Sequence, residues 1–110
     1  MPQTSRPHDV FQAVADETRR RILRMLADGD MPIGAIAEHF PITRTAVNKH
    51  LHVLEGAGLV AGHRVGRETR YALVPEPLLE LREWLSFYER YWDSRLAALQ
   101  KYVEAERDDD

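Results

Sequence analysis

The chain contains no cysteine. Disulfides, thiolate metal sites and thiol redox sensing are thereby excluded. No apolar run approaches the ~18 residues that a membrane span needs. The N-terminus carries no apolar signal-peptide region, so the expected location is the cytoplasm, with no membrane partner. A Gly-rich phosphate loop and a metal-ligand spacing are also missing. Together with the lack of a Cys nucleophile, this makes an enzyme unexpected, and neither a metal nor a cofactor is expected. Carboxylates such as Glu80, Glu83 and Glu89 are read as the solvated side of a helix.

What the 110 residues do contain is ordinary for one globular domain, with 44% hydrophobic and 30% charged residues. The net charge of −3 argues against nucleic acid until the chain is divided. Residues 1–75 hold ten Lys/Arg against eight Asp/Glu (+2), and residues 76–110 hold five against ten (−5). A mildly basic N-terminal part and an acidic C-terminal part can serve different tasks.

Residues 1–7, with two prolines and no periodicity, read as a flexible tail. His8 to Val14 is a short helix candidate, with Val10, Phe11 and Val14 at spacings of 3 and 4. Asp16 is placed to cap a second helix that buries Ile22, Leu23 and Leu26 and stops at Gly29. Its Arg19, Arg20, Arg21 and Arg24 could meet phosphates, but a solvated or ion-paired run is the commoner case. Ile33 to Phe40 gives another helix, with Ile33, Ile36, Ala37 and Phe40 on one face.

Pro41 ends that helix, and Thr43 supplies a cap for Thr43 to Glu55. On this next helix Val47, Leu51 and Leu54 share one side, while Thr45, Asn48, Lys49 and His52 share the other. Two helices separated by so few residues have helix-turn-helix spacing, and Asn and Lys can reach base edges in a major groove. Gly56 to Val60 stops the helix, with Gly58 suited to a left-handed C-terminal position. The period then falls to two. Leu59, Ala61, His63 and Val65 form one expected inner row; a turn at Gly66–Glu68 follows, then Thr69, Tyr71 and Leu73. This two-stranded hairpin carries Arg64, Arg67 and Arg70, which makes it a basic wing suited to phosphate or the minor groove.

From Glu76 to about Glu106 nothing breaks a helix. Leu78, Leu81, Leu85, Tyr88, Trp92, Leu96, Leu99 and Val103 follow spacings of 3 and 4, and Trp84, Phe87, Tyr91 and Tyr102 widen the stripe. Its apolar surface exceeds what the preceding domain can cover, so a second copy of the chain is the expected cover. The organisation is then a tail at 1–7, a winged helix-turn-helix domain at 8–75, a dimerisation helix at 76–106 and an acidic tail at 107–110. The fold class is mainly α: three to four short helices, a two-stranded β-wing and a long C-terminal helix.

This order resembles the ArsR (arsenic-repressor-like) family of winged helix-turn-helix transcription regulators. The matching text is A-D-E-T-R-R-R-I-L-R-M-L (Ala15 to Leu26), I-G-A-I-A (Ile33 to Ala37), T-R-T-A-V-N-K-H-L-H-V-L-E-G-A-G-L-V (Thr43 to Val60) and G-R-E-T-R-Y-A-L (Gly66 to Leu73). The continuation V-P-E-P-L-L-E-L with an aromatic helix is similar to a subgroup often encoded beside START-like (SRPBCC) proteins. The resemblance implies a homodimer that binds a palindromic double-stranded DNA operator, most often as a repressor, under control of an unidentified small-molecule or protein signal.

By match to the family motif, Thr43, Arg44, Thr45, Asn48 and Lys49 take recognition-helix positions, with His52 at the margin of the reading side. Arg64, Arg67 and Arg70 take wing positions; His50 matches a common family histidine, and its position nearer the buried side of the helix points to packing rather than base reading. Leu81, Trp84, Leu85, Tyr88, Trp92, Leu96 and Leu99 are the expected dimer interface. Metal-sensing members carry a cysteine box or Asp/His sets on the last helix. Here there is no Cys and the last His is His63, so a non-metal-sensing regulator is expected. The alternative is a protein-interaction module that keeps the winged scaffold and uses its aromatic helix to bind another protein.

Overall fold

The computed structural model describes residues 8–108. The expected tail at 1–7 and the last two residues of the acidic tail lie outside the described residues. The described residues divide into two compact units, with the boundary between Leu79 and Glu80.

In the first unit, α1 (Val10–Ala13) begins at Asp9, whose side chain accepts from Phe11 N. α2 (Glu17–Leu26) begins at Asp16, whose carboxylate accepts from Arg19 N at 3.0 Å. Ile22, Leu23 and Leu26 of α2 are buried, at the spacing an amphipathic helix gives its core side. A two-residue strand β1 (Met31–Pro32) then leads into α3 (Ile33–Ala37). The long helix of this unit is α4 (Arg44–Gly56), followed by β2 (Val60–Val65) and β3 (Glu68–Leu73).

The sheet is three-stranded and antiparallel in the order β1-β3-β2, so the expected hairpin gains a short third strand through Met31 opposite Tyr71. Val10, Ala13, Ile22, Ile36, Val47, Leu51, Leu54, Ala57 and Leu59 are at or near complete burial and form the core around α4. The inner row expected at Leu59, Ala61, His63 and Val65 is not what forms. Leu59 and Val60 are both buried, and every β2 residue after Val60 is exposed. β2 leaves the core after Val60, whereas β3 keeps Tyr71 buried and Thr69 and Arg70 half-buried, so the cover is on the partner strand.

Toward the C-terminus, the single helix expected over 76–106 is two helices, α5 (Leu78–Ser86) and α6 (Glu89–Asp108). Phe87 N donates to Trp84 O (3.3 Å) and Tyr88 N to Leu85 O (2.9 Å), three-residue bonds that tighten the last turn of α5. Ser86 Oγ donates to Glu83 O at 2.7 Å, a local bond that competes with the helical ladder. Around the break, the Tyr88 ring meets Trp84 and Phe87 edge-on, with centroids 5.4 and 4.9 Å away. α6 extends to Asp108, past the expected end at 106. No helix among the described residues is long and apolar enough to cross a membrane.

Candidate nucleic-acid interface

The entry to α4 is set by its first residues. Phe40 closes the turn after α3 through Phe40 N to Ala37 O at 3.2 Å, and the Arg21 guanidinium lies 4.5 Å above its ring. Thr43 is extended (φ −69°, ψ 156°) and its Oγ1 accepts from Ala46 N at 3.0 Å. The other end is a left-handed cap. Gly58 has φ +75°, Gly58 N donates to Glu55 O and Leu59 N to Leu54 O, both at 2.9 Å. That pair of bonds satisfies carbonyls a helix end would otherwise leave open, and glycine adopts this φ without a Cβ clash.

Between the caps, Val47, Leu51 and Leu54 are fully buried. Thr43, Arg44, Thr45, Asn48, Lys49 and His52 are all exposed. The sequence expectation for the two sides of this helix therefore matches the burial. Two grooves flank the exposed strip. One, of about 380 Å³, is lined by Ile33, Arg44, Thr45 and Asn48 together with Thr69 and Tyr71 of the wing. The other, of about 480 Å³, is lined by Thr45, Asn48, Lys49, His52 and Val53 with His8. His8 is tied there by its N–H to Gly56 O at 3.3 Å.

The wing register sorts its arginines. Gly62 stands opposite Tyr71 and Arg64 opposite Thr69, whereas His63 stands opposite Arg70 and Val65 opposite Glu68. Opposed residues share a face and neighbours alternate. Arg64 is thus on the face whose Thr69 and Tyr71 border α4, and Arg70 is on the other. Arg70 is half-buried; its Nη2 donates to Asp30 O at 3.3 Å and its Nη1 lies 3.5 Å from a Glu68 oxygen. Asp30 also sits 3.9 Å from His63 Nε2. Arg67 is exposed in the turn beside Gly66, whose φ is +65°. Of the three wing arginines, the structure brings Arg64 to the α4 side and Arg67 to the tip, and engages Arg70 with the loop before β1.

Sequence reasoning missed Thr69, Tyr71 and His8 as neighbours of the strip. Cross-strand parity could have found the first two; nothing local marks His8. Tyr71 is buried, and burial, aided by the Glu55 carboxylate, pushes its phenol above the ordinary value of 10.0. Gly62 faces it so closely that an added Cβ would stand 2.9 Å from Tyr71 Cε1.

His50 is half-buried rather than in the core, with its Nδ1 3.2 Å from Arg19 Nη1. Arg20 Nη1 donates to Val14 O at 2.8 Å, so at least part of the basic run of α2 is occupied within the protein. Of the expected dimer residues, Leu81 and Tyr88 are half-buried, while Trp84, Leu85, Trp92, Leu96 and Leu99 are exposed. Among the described residues no group of three His, Cys, Asp or Glu could hold a metal ion.

A helix-turn-helix domain model matches residues 14–63, which contain α2, α3, the turn and α4. Across 103 residues the chain is 38% identical to the HTH-type transcriptional regulator Rv2034 of Mycobacterium tuberculosis, covering 94% of each chain. The chain belongs to the ArsR family of winged helix-turn-helix transcriptional regulators.

Two further comparisons agree. A transcriptional repressor of Bacillus subtilis, SdpR, is 40% identical over 78 residues, covering 71% of this chain and 87% of the relative. The solved ArsR-like transcriptional regulator from Rhodococcus sp. RHA1 superposes with a TM-score of 0.67 at 38% identity, over 87% of this chain and 88% of that one. The protein is a DNA-binding transcriptional regulator and not an enzyme. As an ArsR-family fold it is mainly helical, with a small antiparallel sheet beside the helix-turn-helix.

Proposed function

We propose that the chain is a homodimeric repressor that reads a palindromic operator through α4. The observation that carries this reading is the exposed strip Thr45, Asn48, Lys49 and His52, held rigid by its buried side and flanked by two grooves. Asn48 and Thr45 contact base edges, and Lys49 reaches a base or a phosphate. Thr43 and Arg44, at the helix start, hold the phosphate backbone, where free N–H groups and the helix dipole favour an anion. His52 borders the contact. Arg64 and Arg67 grip the backbone from the wing, and Arg70 steadies the wing base through Asp30.

The dimer is closed by the second unit through Leu81, Trp84, Leu85, Tyr88, Trp92, Leu96 and Leu99, most of them exposed in a single chain. Residues 8–75 are then the DNA-binding domain and the helices after them the dimerisation element. Two copies would place their α4 helices about one helical turn of DNA apart, ~34 Å. That a relative is named a repressor supports the same sense of control here. The lack of cysteine, and of any histidine after His63, supports a signal other than a thiolate- or last-helix-bound metal. The likeness of the second unit's text to regulators encoded beside START-like proteins points the search for that signal to neighbouring genes. The chain works where the chromosome is, in the cytoplasm.

The test is fluorescence anisotropy on the DNA upstream of the gene and on a random duplex, across several salt concentrations. Asn48→Ala should cost ~1–3 kcal/mol of preference for the upstream duplex and leave random binding intact. Arg67→Ala should weaken both duplexes alike and lower the log–log salt slope by about 0.9. Equal losses on both duplexes for both variants would sink this division of roles. A wild-type chain with no preference for either duplex would instead favour an interaction module built on the winged scaffold.

A further inference from the structure

The arginine run of α2 has the look of a phosphate contact, yet Arg19 is turned inward. Its Nε donates to Ala13 O at 2.7 Å and its Nη2 to Gln12 O at 3.1 Å, both carbonyls at the end of α1. Its Nη1 lies 3.2 Å from Nδ1 of His50 on α4. One planar guanidinium therefore joins α1, its own helix and the recognition helix. A guanidinium only donates, so His50 Nδ1 accepts and the ring proton of this tautomer is on Nε2. Asp16 Oδ2 is 3.8 Å from the same Nδ1, too far for a hydrogen bond, and accepts from Arg19 N at 3.0 Å instead. The result is a three-residue strut, Asp16, Arg19 and His50, that ends one position from Lys49 and two from Asn48.

We infer that Arg19 and His50 are a positioning pair for operator reading: Arg19 fixes the rotation of α4 through His50 and touches no phosphate. The inference rests on the reading of α4 as the recognition helix. Rotation of α4 that opened the 3.2 Å contact would carry the Asn48 and Lys49 side chains off their base edges, because all three are consecutive on one rigid helix. Random duplex, gripped through phosphates, would feel the rotation far less. A lysine at position 19 would keep the charge but could not span two carbonyls and an imidazole with one ammonium.

The decisive variants are Arg19→Lys, His50→Asn, which keeps an acceptor near the Nδ1 position, His50→Leu, and the double Arg19→Lys/His50→Leu. Each is titrated against upstream and random duplex over a salt series, with its helix content and melting curve recorded. Arg19→Lys should lower upstream affinity about tenfold, the scale of one charged hydrogen bond, with an unchanged salt slope and little loss on random duplex. His50→Leu should do the same, His50→Asn should retain binding to within about twofold, and the double variant should lose no more than the worse single.

An Arg19→Lys chain that binds the upstream duplex like the wild type overturns the inference. So do losses that add in the double variant, and so does an Arg19→Gln variant whose salt slope drops by about one. Arg19→Lys and His50→Asn preserve size and polarity, so they remain informative if His50→Leu does not fold. A wild-type chain that shows no preference for the upstream duplex overturns the recognition-helix reading and this inference with it.

Discussion

Under the proposed dimer, replacing Leu96 and Leu99 of α6 by alanine should release monomers without unfolding the DNA-binding domain. In a single chain these side chains are 57% and 58% exposed. Complete burial of a leucine is worth ~1.5–3 kcal/mol, so covering the exposed half contributes roughly 1–1.5 kcal/mol each. A two-fold pair covers four such side chains, and the double substitution therefore removes on the order of 4–6 kcal/mol of association free energy. At 1.4 kcal/mol per factor of ten, the dimer dissociation constant should rise by about three to four orders of magnitude. Sedimentation velocity over a concentration series reads this directly. Melting of the first unit should be unchanged when extrapolated to low concentration. A dissociation constant within tenfold of wild type would refute the placement of the interface on α6, since the removed surface is too apolar to be neutral in a real contact.

Three other substitutions probe the first unit. Leu51→Ala, at a fully buried position of α4, should cost ~2–5 kcal/mol in denaturant unfolding, and a cost under 1 kcal/mol would contradict its packing. Asp16 is held below its ordinary value of 3.8, chiefly by the hydrogen bond from Arg19 N. Its stabilisation is therefore complete above the unfolded carboxyl value of about 3.9 and is lost as pH falls through the lower folded value. The stability gap between wild type and Asp16→Ala should shrink from about pH 5 to about pH 2, and a pH-independent gap would contradict it. Gly62→Val would drive its Cβ against the Tyr71 ring, so amide shifts of Thr69 and Tyr71 should move while those of Leu26 stay in place. Unmoved wing resonances would contradict the cross-strand register.

How far the sequence carries the fold depends on how local each cause is. The caps at Asp16, Thr43 and Gly58 are legible because a side-chain acceptor or an absent Cβ acts within a few residues. The two sides of α4 are legible because a 3.6-residue period sorts thirteen residues with little ambiguity. β1 is not legible: two residues carry no period, and Met31 and Pro32 are strand only because Tyr71 and Arg70 lie beside them. The break at Phe87 and Tyr88 escapes for a related reason. It involves neither proline nor glycine, and comes from a serine hydroxyl bonding back and from aromatic rings gathering on Tyr88. The inner row of β2 is not legible because it depends on which parity stands opposite the buried Tyr71, and that is Gly62 rather than Ala61 or His63. The separation of Arg64 from Arg70 needs the pairing register, which no single strand contains. Arg19 is the sharpest case, since the sequence offers a solvated, ion-paired or phosphate-facing arginine and only the fold shows its Nε, Nη1 and Nη2 turned to Ala13, His50 and Gln12.

The claim that α4 reads a palindrome as one of a pair is tested most directly by hydroxyl-radical footprinting on the DNA upstream of the gene. The account predicts two protected half-sites related by a dyad, their centres about 10 base pairs apart, with both lost together in Asn48→Ala. A single asymmetric footprint, or a symmetric one that Asn48→Ala leaves intact, would contradict it.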